Sequence, residues 1–199
     1  MKKLKKLRII ALLFILSSNL IGQKTNIISL QYGKGINTLI RFTLLDGDAS
    51  YDGEGSFNFG ISFQHYKSKR FSIHTGLIYS HQKIILTPSY YPGKDLTKKR
   101  GSIQLLSIPI MANFNFGKYF FIGLQEITDF ELSSSKDLEM DNQSGIGLGI
   151  FTGAKLIINN ISLRFTPYFN VHSLVPFVHD KHKQHLFDSG INLSLGYYF

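Results

Sequence analysis

Apolar and polar residues alternate along most of this chain with a period of two. The clearest stretch has bulky apolar residues on one side and small or amide residues on the other: Phe57, Phe59, Ile61 and Phe63 against Asn58, Gly60, Ser62 and Gln64. This period is typical of a β-strand with two different faces. It predicts eight strands, at about 28–42, 56–66, 71–86, 103–116, 119–128, 144–157, 161–172 and 186–199. Each is near or above the roughly 9–11 residues that a tilted strand needs to cross a bilayer.

The connections between these segments alternate in length. Long connections fall at 43–55, 87–101, 129–143 and 173–185, and short ones at 67–70, 117–118 and 159–160. Transmembrane barrels have this arrangement, because short turns face the periplasm and longer loops face the cell exterior. The sequence therefore predicts an all-β fold: an eight-strand antiparallel up-and-down barrel that spans a membrane. The apolar sides should face lipid, and the small and polar sides should fill the narrow lumen.

Charged residues follow the same division, with a few positions that need an explanation. Eleven of the 13 acidic residues fall in the predicted long loops, which leaves Glu126 and Asp188 within strands. The start of segment 119–128 is apolar on both sides, so its facing is open. Because a carboxylate facing lipid is costly, we expect Glu126 to face inward. Lys34 shares the lipid side of its strand, so we expect a bulge there or a lysine at the periplasmic rim.

The N-terminus has the form of a cleavable secretory signal. Five basic residues precede the unbroken apolar run Ile9 to Leu16, which is too short to cross a membrane as a helix. We expect a signal peptide at 1–22 and a barrel at 23–199. The mature chain would carry 17 basic and 13 acidic residues, a net +4 instead of +9, so the basic composition is weak support for nucleic-acid binding. Cysteine is absent, which excludes disulfides and a lipoprotein-type anchor.

At this point the chain resembles the PorT-like family of small outer-membrane β-barrel proteins. The resemblance covers essentially the whole mature chain. Its motifs are Ile108-Pro109-Ile110 leading to Asn113-Phe114, the strand Gly145-x-Gly147-x-Gly149, and the ending Ser194-Leu195-Gly196-Tyr197-Tyr198-Phe199. It implies an eight-strand barrel in the outer membrane of a Gram-negative-type cell, reached by export through the inner membrane. It implies no single biochemical activity, because a fold does not supply one.

The last strand also resembles the C-terminal signal by which barrel-assembly machinery selects its clients. The residues concerned are Gly190, Leu193, Leu195, Tyr197 and Phe199. The simpler interpretation is a good lipid-facing strand, and both interpretations can hold together.

Polar residues on the predicted inward sides are the first candidates for a functional site. They are Arg41, His74, Glu126, Lys155, Arg164 and Asp188. We expect this network to plug and stiffen the lumen, because eight strands enclose a space just wide enough for side chains. A selective, porin-like pore is the alternative.

Histidines supply the remaining candidates for chemistry. His179, His182 and His185 could gather a transition metal, although Lys181 and Lys183 between them would repel one. For catalysis, His172, Ser173 and Asp180 lie toward the outer rim, but adjacent strand residues point to opposite faces. The glycines at 145–149 lie within a strand and precede no helix, so they do not form a nucleotide loop. We therefore expect no catalytic residue, metal or cofactor.

These observations favour a non-enzymatic outer-membrane barrel that acts as a structural or interaction module. A narrow channel for ions or small solutes is the second interpretation, and an outer-membrane enzyme the third. The expected partners are outer-membrane lipid, the barrel-assembly machinery during biogenesis, and an envelope or secretion-complex protein. No nucleic-acid partner is expected.

Overall fold

The computed structural model describes residues 25–41, 50–88, 97–135, 138, 140–178 and 184–199. Eight strands form one closed barrel, in which each strand pairs antiparallel with the next and β8 pairs with β1. The strands are β1 Asn26–Arg41, β2 Ser50–Tyr66, β3 Phe71–Thr87, β4 Lys99–Phe116, β5 Phe120–Ser134, β6 Gly145–Ile158, β7 Ile161–Pro176 and β8 Gln184–Tyr198. The predicted fold class is confirmed. In the described part of the chain, no helix has the length and apolar character to cross a membrane.

The strands extend further toward the long loops than the alternation predicts. β2 begins at Ser50 and not at residue 56, and β5 continues to Ser134 and not to residue 128. Strands of 14 to 18 residues exceed what a bilayer requires, so their upper parts continue beyond it. Acidic residues are tolerated there because water is close. Asp52, Glu54 and Asp129 consequently lie in strands, although the sequence placed them in loops.

The two faces of the sheet have opposite character across the lower part of the barrel, next to the short turns. On β6, Gly147 and Gly149 are buried inside, and Leu148 and Ile150 are each 56% exposed outside. The same sidedness runs through the neighbouring strands, whose outward residues include Leu30, Ile61, Leu124, Leu163 and Leu195. An apolar exterior around a polar interior is the organisation expected of a barrel in lipid.

Toward the long loops, this sidedness reverses on part of the barrel. Five inward residues form an apolar cluster, here called the upper cluster: Leu39, Ile84, Ile103, Leu105 and Leu186, with Tyr51 and Met140 packed against it. Outside, at the same end, Lys83 is exposed and Arg100 pairs with Glu54 at 3.3 Å. On β5 and β7, Leu132 and Val175 stay apolar and exposed. The upper cluster therefore packs inside the barrel beneath the loops, as an apolar core above the polar lower lumen.

Local irregularities occur where the sequence suggested them. The pairing of β1 with β2 shifts register between Gly35 and Thr38, so a bulge is present near Lys34, but it follows Lys34 and leaves that side chain exposed on the outer face. Lys34 is not at the periplasmic rim, because β1 already begins at Asn26. The pairing of β3 with β4 is interrupted at Ile108 and Pro109, and Pro109 has no amide proton to donate.

Candidate functional site

The lower lumen holds an arginine–histidine cluster built from four strands. Arg164 of β7 donates from Nη1 to Nδ1 of His74 on β3 at 2.8 Å and to Oε1 of Gln64 on β2 at 3.3 Å. Since arginine can only donate, Nδ1 of His74 is the acceptor and its Nε2 carries the proton. The side-chain amide of Asn113 on β4 lies 2.8 Å from that Nε2 through its nitrogen Nδ2. Because Nε2 carries the proton, the reversed amide, with Oδ1 toward Nε2, is the orientation that can accept it. The guanidinium also lies over the ring of Phe121, 4.4 Å from its centroid.

A lysine from β6 lies beside this cluster. Nζ of Lys155 donates to Oδ1 of Asn115 at 2.5 Å and to the hydroxyl of Tyr66 at 3.1 Å. The ammonium is 4.8 Å from the centroid of the Tyr66 ring. Within the described residues, neither Lys155 nor Arg164 has a carboxylate partner. Both cations are held by neutral acceptors and aromatic faces, so the lower lumen is positive.

A carboxylate occupies the middle of the lumen. Asp188 of β8, 3% exposed, accepts hydrogen bonds from Ser56 at 2.8 Å, Gln82 at 3.3 Å and Tyr168 at 3.2 Å. The hydroxyl of Tyr168 also accepts from Nδ2 of Asn58 at 3.2 Å. These contacts join β8 to β2 and β3 across the interior, not only to the adjacent β7. They tie β8 to strands two and three positions away around the barrel.

A second carboxylate lies close to a histidine and a serine. Asp129 of β5 is 2.7 Å from Nδ1 of His172 on β7 and accepts from Ser107 on β4 at 2.5 Å. The residue types are those of a hydrolase triad, but the arrangement is different. In a triad the serine contacts the imidazole, which activates it. Here Ser107 donates to the carboxylate, and Nε2 of His172 has no partner within the described part of the lumen. The cluster fixes neighbouring walls and does not present a nucleophile.

The structure distributes the predicted lumen residues over separate places. Arg164, Lys155 and His74 lie together in the lower lumen, and Asp188 lies apart in the middle. The backbone of Arg41 is in β1, and its side chain lies outside the described residues. Among the predicted lumen residues whose side chains are described, no ion pair forms: Arg164 and Lys155 donate to neutral groups, and Asp188 accepts from hydroxyl and amide groups.

Glu126 corrects the prediction for β5. The inward positions of that strand are taken by Phe121, Gly123, Gln125 and Asp129, so Glu126 lies on the outer face. Phe121 packs on Phe151 in the lumen, beside Gly123, where a Cβ would come within 2.4 Å of the Phe151 ring. This packing fixes the parity of β5 and places Asp129, not Glu126, inside.

Asp129 and Gln125 are the inward residues that the sequence analysis missed. Both share parity with Gly123, as inward glycines share parity with polar residues on β6 and β8. The parity of the inward glycines therefore indicates the facing of β5 correctly, whereas the cost of a lipid-facing glutamate does not.

The free space in the lumen is small. Two cavities, both bordered by Gln31 and Tyr168, measure about 40 and 30 Å³. About 10–15 Å³ suffices for the centre of one water molecule, so each cavity has room for only a few waters. Above them the upper cluster closes the interior. Both cavities are far smaller than a continuous passage for a solute.

The histidine loop is only partly within the described residues. His179, His182 and Asp180 lie outside them. His185 is in β8, is 8% exposed, and its Nδ1 lies 2.9 Å from the carbonyl oxygen of Ser173. No group of three or more metal-ligating side chains occurs in the part of the chain that the structure describes.

The strand β8 closes the barrel against β1. Leu193, Leu195 and Tyr197 face outward, between 54% and 59% exposed. A Cβ on Gly190 would lie 2.3 Å from the carbonyl oxygen of Lys34, so the two backbones approach closely at this position. The amide of Phe199 donates to the carbonyl of Asn26 at 2.9 Å. The five residues of the predicted assembly signal thus lie along this seam, and their recognition by assembly machinery stays a prediction.

Solved structures similar to this one are small outer-membrane barrels. The outer membrane protein OprG from Pseudomonas aeruginosa matches with a TM-score of 0.55 and 10% identity, covering 89% of this chain and 98% of that one. The attachment invasion locus protein Ail of Yersinia pestis matches with a TM-score of 0.43 and 10% identity, covering 88% and 99%. No family model and no curated protein matches the sequence. The likeness to OprG shows that the chain has the fold of an outer-membrane β-barrel.

Proposed function

We propose that this protein is a non-enzymatic outer-membrane barrel that acts as a structural or interaction module of the envelope. A cleaved signal peptide at 1–22 would direct its export. The barrel-assembly machinery would recognise β8 and insert the barrel into the membrane. The PorT-like resemblance supports this reading. The long loops would face the exterior and meet an envelope or secretion-complex protein, which a pull-down from intact envelopes would identify.

The filled lumen is the observation that carries this proposal. Arg164, Asp188 and Asp129 each bond to side chains of other strands inside the barrel, and the remaining cavities admit only a few waters. A module that presents loops benefits from such a stiff core, whereas a channel requires an open path. The described Ser107–Asp129–His172 contacts also lack the serine–imidazole contact that hydrolysis needs.

A narrow channel is the second candidate, because charged and amide groups line the lumen from the arginine–histidine cluster up to Asp188. Planar-bilayer recording separates the interaction module from the channel.

We expect purified protein to give no steady single-channel steps. A positive control with three inward side chains shortened, Leu105→Ala, Arg164→Ala and Tyr168→Ala, should conduct. A matched control shortens the outward Ile108, Leu163 and Phe165 to alanine and should stay silent. Steady, uniform steps from the unaltered protein would show that it is a channel.

A further inference from the structure

Two charged side chains interrupt the apolar outer face of the barrel. Lys34 of β1 is exposed to the outside, and Glu126 of β5 lies on the same outer surface. Other outward lysine, arginine, aspartate and glutamate side chains of the described strands lie nearer the long loops, such as Lys83 and Arg100. The lipid-facing band of the described barrel therefore contains one cation and one anion.

Each of these charges is surrounded by apolar residues of its own barrel. Lys34 lies opposite Phe57 on β2 and Ile191 on β8. Glu126 lies opposite Ile110 on β4 and Leu148 on β6, which are each 56% exposed. The carboxylate accepts one hydrogen bond, from the hydroxyl of Thr128 on its own strand, at 2.9 Å. Neither charge has an oppositely charged neighbour within the described chain.

The strand registers place the two charges at similar depths. Residues of each strand pair with residues of the next strand, so the position of Lys34 can be carried from strand to strand until β5. Through β2, β3 and β4 it arrives at Ser133, and through β8, β7 and β6 it arrives at Ile122. Because the strands are tilted, the two routes drift up and down the barrel axis by equal amounts over four strands each. The point on β5 at the same depth as Lys34 is therefore midway between the two, between residues 127 and 128. Glu126 is one and a half residues lower, which is about 4 Å at the usual strand rise and tilt. The residues along one route are Phe57, His81 and Gln104. Those along the other are Ile191, Pro167 and Thr152, where Thr152 is matched to Pro167 by continuing the register of the flanking pairs Phe151–Tyr168 and Ala154–Phe165.

This depth lies within the hydrocarbon. Glu126 is six residues above the start of β5, or about 16 Å above the short-turn rim, and the outward apolar band of such barrels is about 25 Å tall. Lys34, at about 20 Å, can extend its long side chain toward the headgroups. The shorter Glu126 cannot. Ionisable groups placed at this depth are costly, and they commonly pair with one another.

We propose that copies of this protein associate side by side in the membrane, with Lys34 of one copy paired to Glu126 of the next. β1 and β5 lie on opposite sides of the barrel, four strands apart in either direction. A second copy moved sideways without rotation keeps its orientation in the membrane and brings its β5 against β1 of the first. Such a head-to-tail contact does not close on itself, so the copies form open rows. A two-fold dimer through either strand would instead place like charges together.

Cysteine crosslinking in intact outer membranes tests this contact, because the chain has no native cysteine. Ile191→Cys lies in register with Lys34, and Leu148→Cys lies in register with Glu126. With a short thiol crosslinker, the double-cysteine variant should give a ladder of dimers, trimers and larger species. Each single-cysteine variant is the matched control and should give no ladder.

Charge reversal then tests the cause of the association. In the double-cysteine background, K34E and E126K should each lower the crosslinked fraction by roughly tenfold, because each places like charges in contact. The combined K34E and E126K variant restores opposite charges and should recover the ladder. Heat-modified gel migration of every variant checks that the barrel is folded.

Several outcomes would overturn the proposal. They are the absence of a ladder from the double-cysteine variant, a ladder that both single reversals leave unchanged, and a combined variant that folds without recovering it. If K34E abolishes the ladder and E126K does not, Lys34 meets a lipid phosphate and not Glu126. If crosslinks form only to another protein, the partner is not a second copy of this chain. None of these results depends on whether the lumen conducts, so the proposed function is tested separately.

Discussion

At the scale of single residues, Asp188 shows how one buried side chain connects several strands. Its carboxylate accepts from three side chains on β2, β3 and β7, and it is almost inaccessible to solvent. A buried donor that loses its acceptor keeps the full cost of its lost hydration. The stability of the barrel should therefore respond strongly to this position.

Asp188→Ala should lower the free energy of unfolding by about 3 kcal/mol, because Ser56, Gln82 and Tyr168 lose their acceptor together. Asp188→Asn keeps one acceptor oxygen and should lose about half as much. Urea unfolding of the protein in lipid vesicles measures both. The control is Asp52→Ala, since Asp52 is exposed and should change stability by less than about 0.5 kcal/mol. Equal effects at the two positions would contradict this account.

The sequence predicts which residue types face inward better than it predicts their partners. Alternation correctly placed His74, Arg164 and Asp188 inside. It could not show that Arg164 meets His74 and not a carboxylate, because partners across a lumen depend on strand stagger. The predicted facing of Glu126 is wrong. The start of β5 is apolar on both sides, so the prediction depended only on the cost of a carboxylate that faces lipid. The packing of Phe121 on Phe151, which no periodicity reports, settles that facing.

At the scale of elements, the tight turns at the lower rim require left-handed backbone at fixed positions. Asn159, between β6 and β7, has φ of 54°, and Gly117, between β4 and β5, has φ of 64°. Glycine and asparagine tolerate this region, whereas a branched side chain brings its Cβ against the following carbonyl oxygen. These residues allow short connections that match the strand twist.

Asn159→Val should therefore lower the free energy of unfolding by about 1–2 kcal/mol, whereas Asn159→Gly should leave it unchanged or raise it slightly. Lys118→Val is the control in the neighbouring turn, where Lys118 has no left-handed φ, and should have little effect. Thermal unfolding in detergent measures all three. A valine as well tolerated at 159 as at 118 would show that the turn adapts.

Strand ends were predicted less well than strand centres, for a physical reason. Alternation is sharp where one face meets lipid, and it weakens where both faces approach water. The first part of β2 contains Asp52 and Glu54, which resemble loop residues in the sequence. Asp52 nevertheless pairs with Ile85 of β3, and Glu54 lies at the bulge between Gly53 and Gly55. A search for lipid-facing patterns therefore recovers the part of each strand within the bilayer and stops at its surface.

At the scale of the whole molecule, depth in the membrane decides what the outer face tolerates. Leu124 and Leu132 are both outward on β5, with 66% and 55% of their surface exposed. By the strand registers, Leu124 lies near the middle of the hydrocarbon and Leu132 lies above it.

Leu124→Arg should lower the free energy of unfolding by about 2–4 kcal/mol, and Leu132→Arg by about 0–1 kcal/mol, because the cost of a lipid-facing arginine falls toward the interface. Reversible unfolding in lipid vesicles measures both changes, and each variant is the other's control. Similar losses at the two positions would mean that the membrane does not lie where the apolar band places it.

The upper cluster has a consequence for how the loops can change. Because Leu39, Ile84, Ile103, Leu105 and Leu186 seal the interior above the polar lumen, the loop ends are anchored on a core of their own. Lengthening a loop beyond that anchor adds only a slowly growing closure entropy. New binding specificities can thus arise by insertion or exchange of residues at the loop tips, while the membrane-embedded half of the barrel stays unchanged.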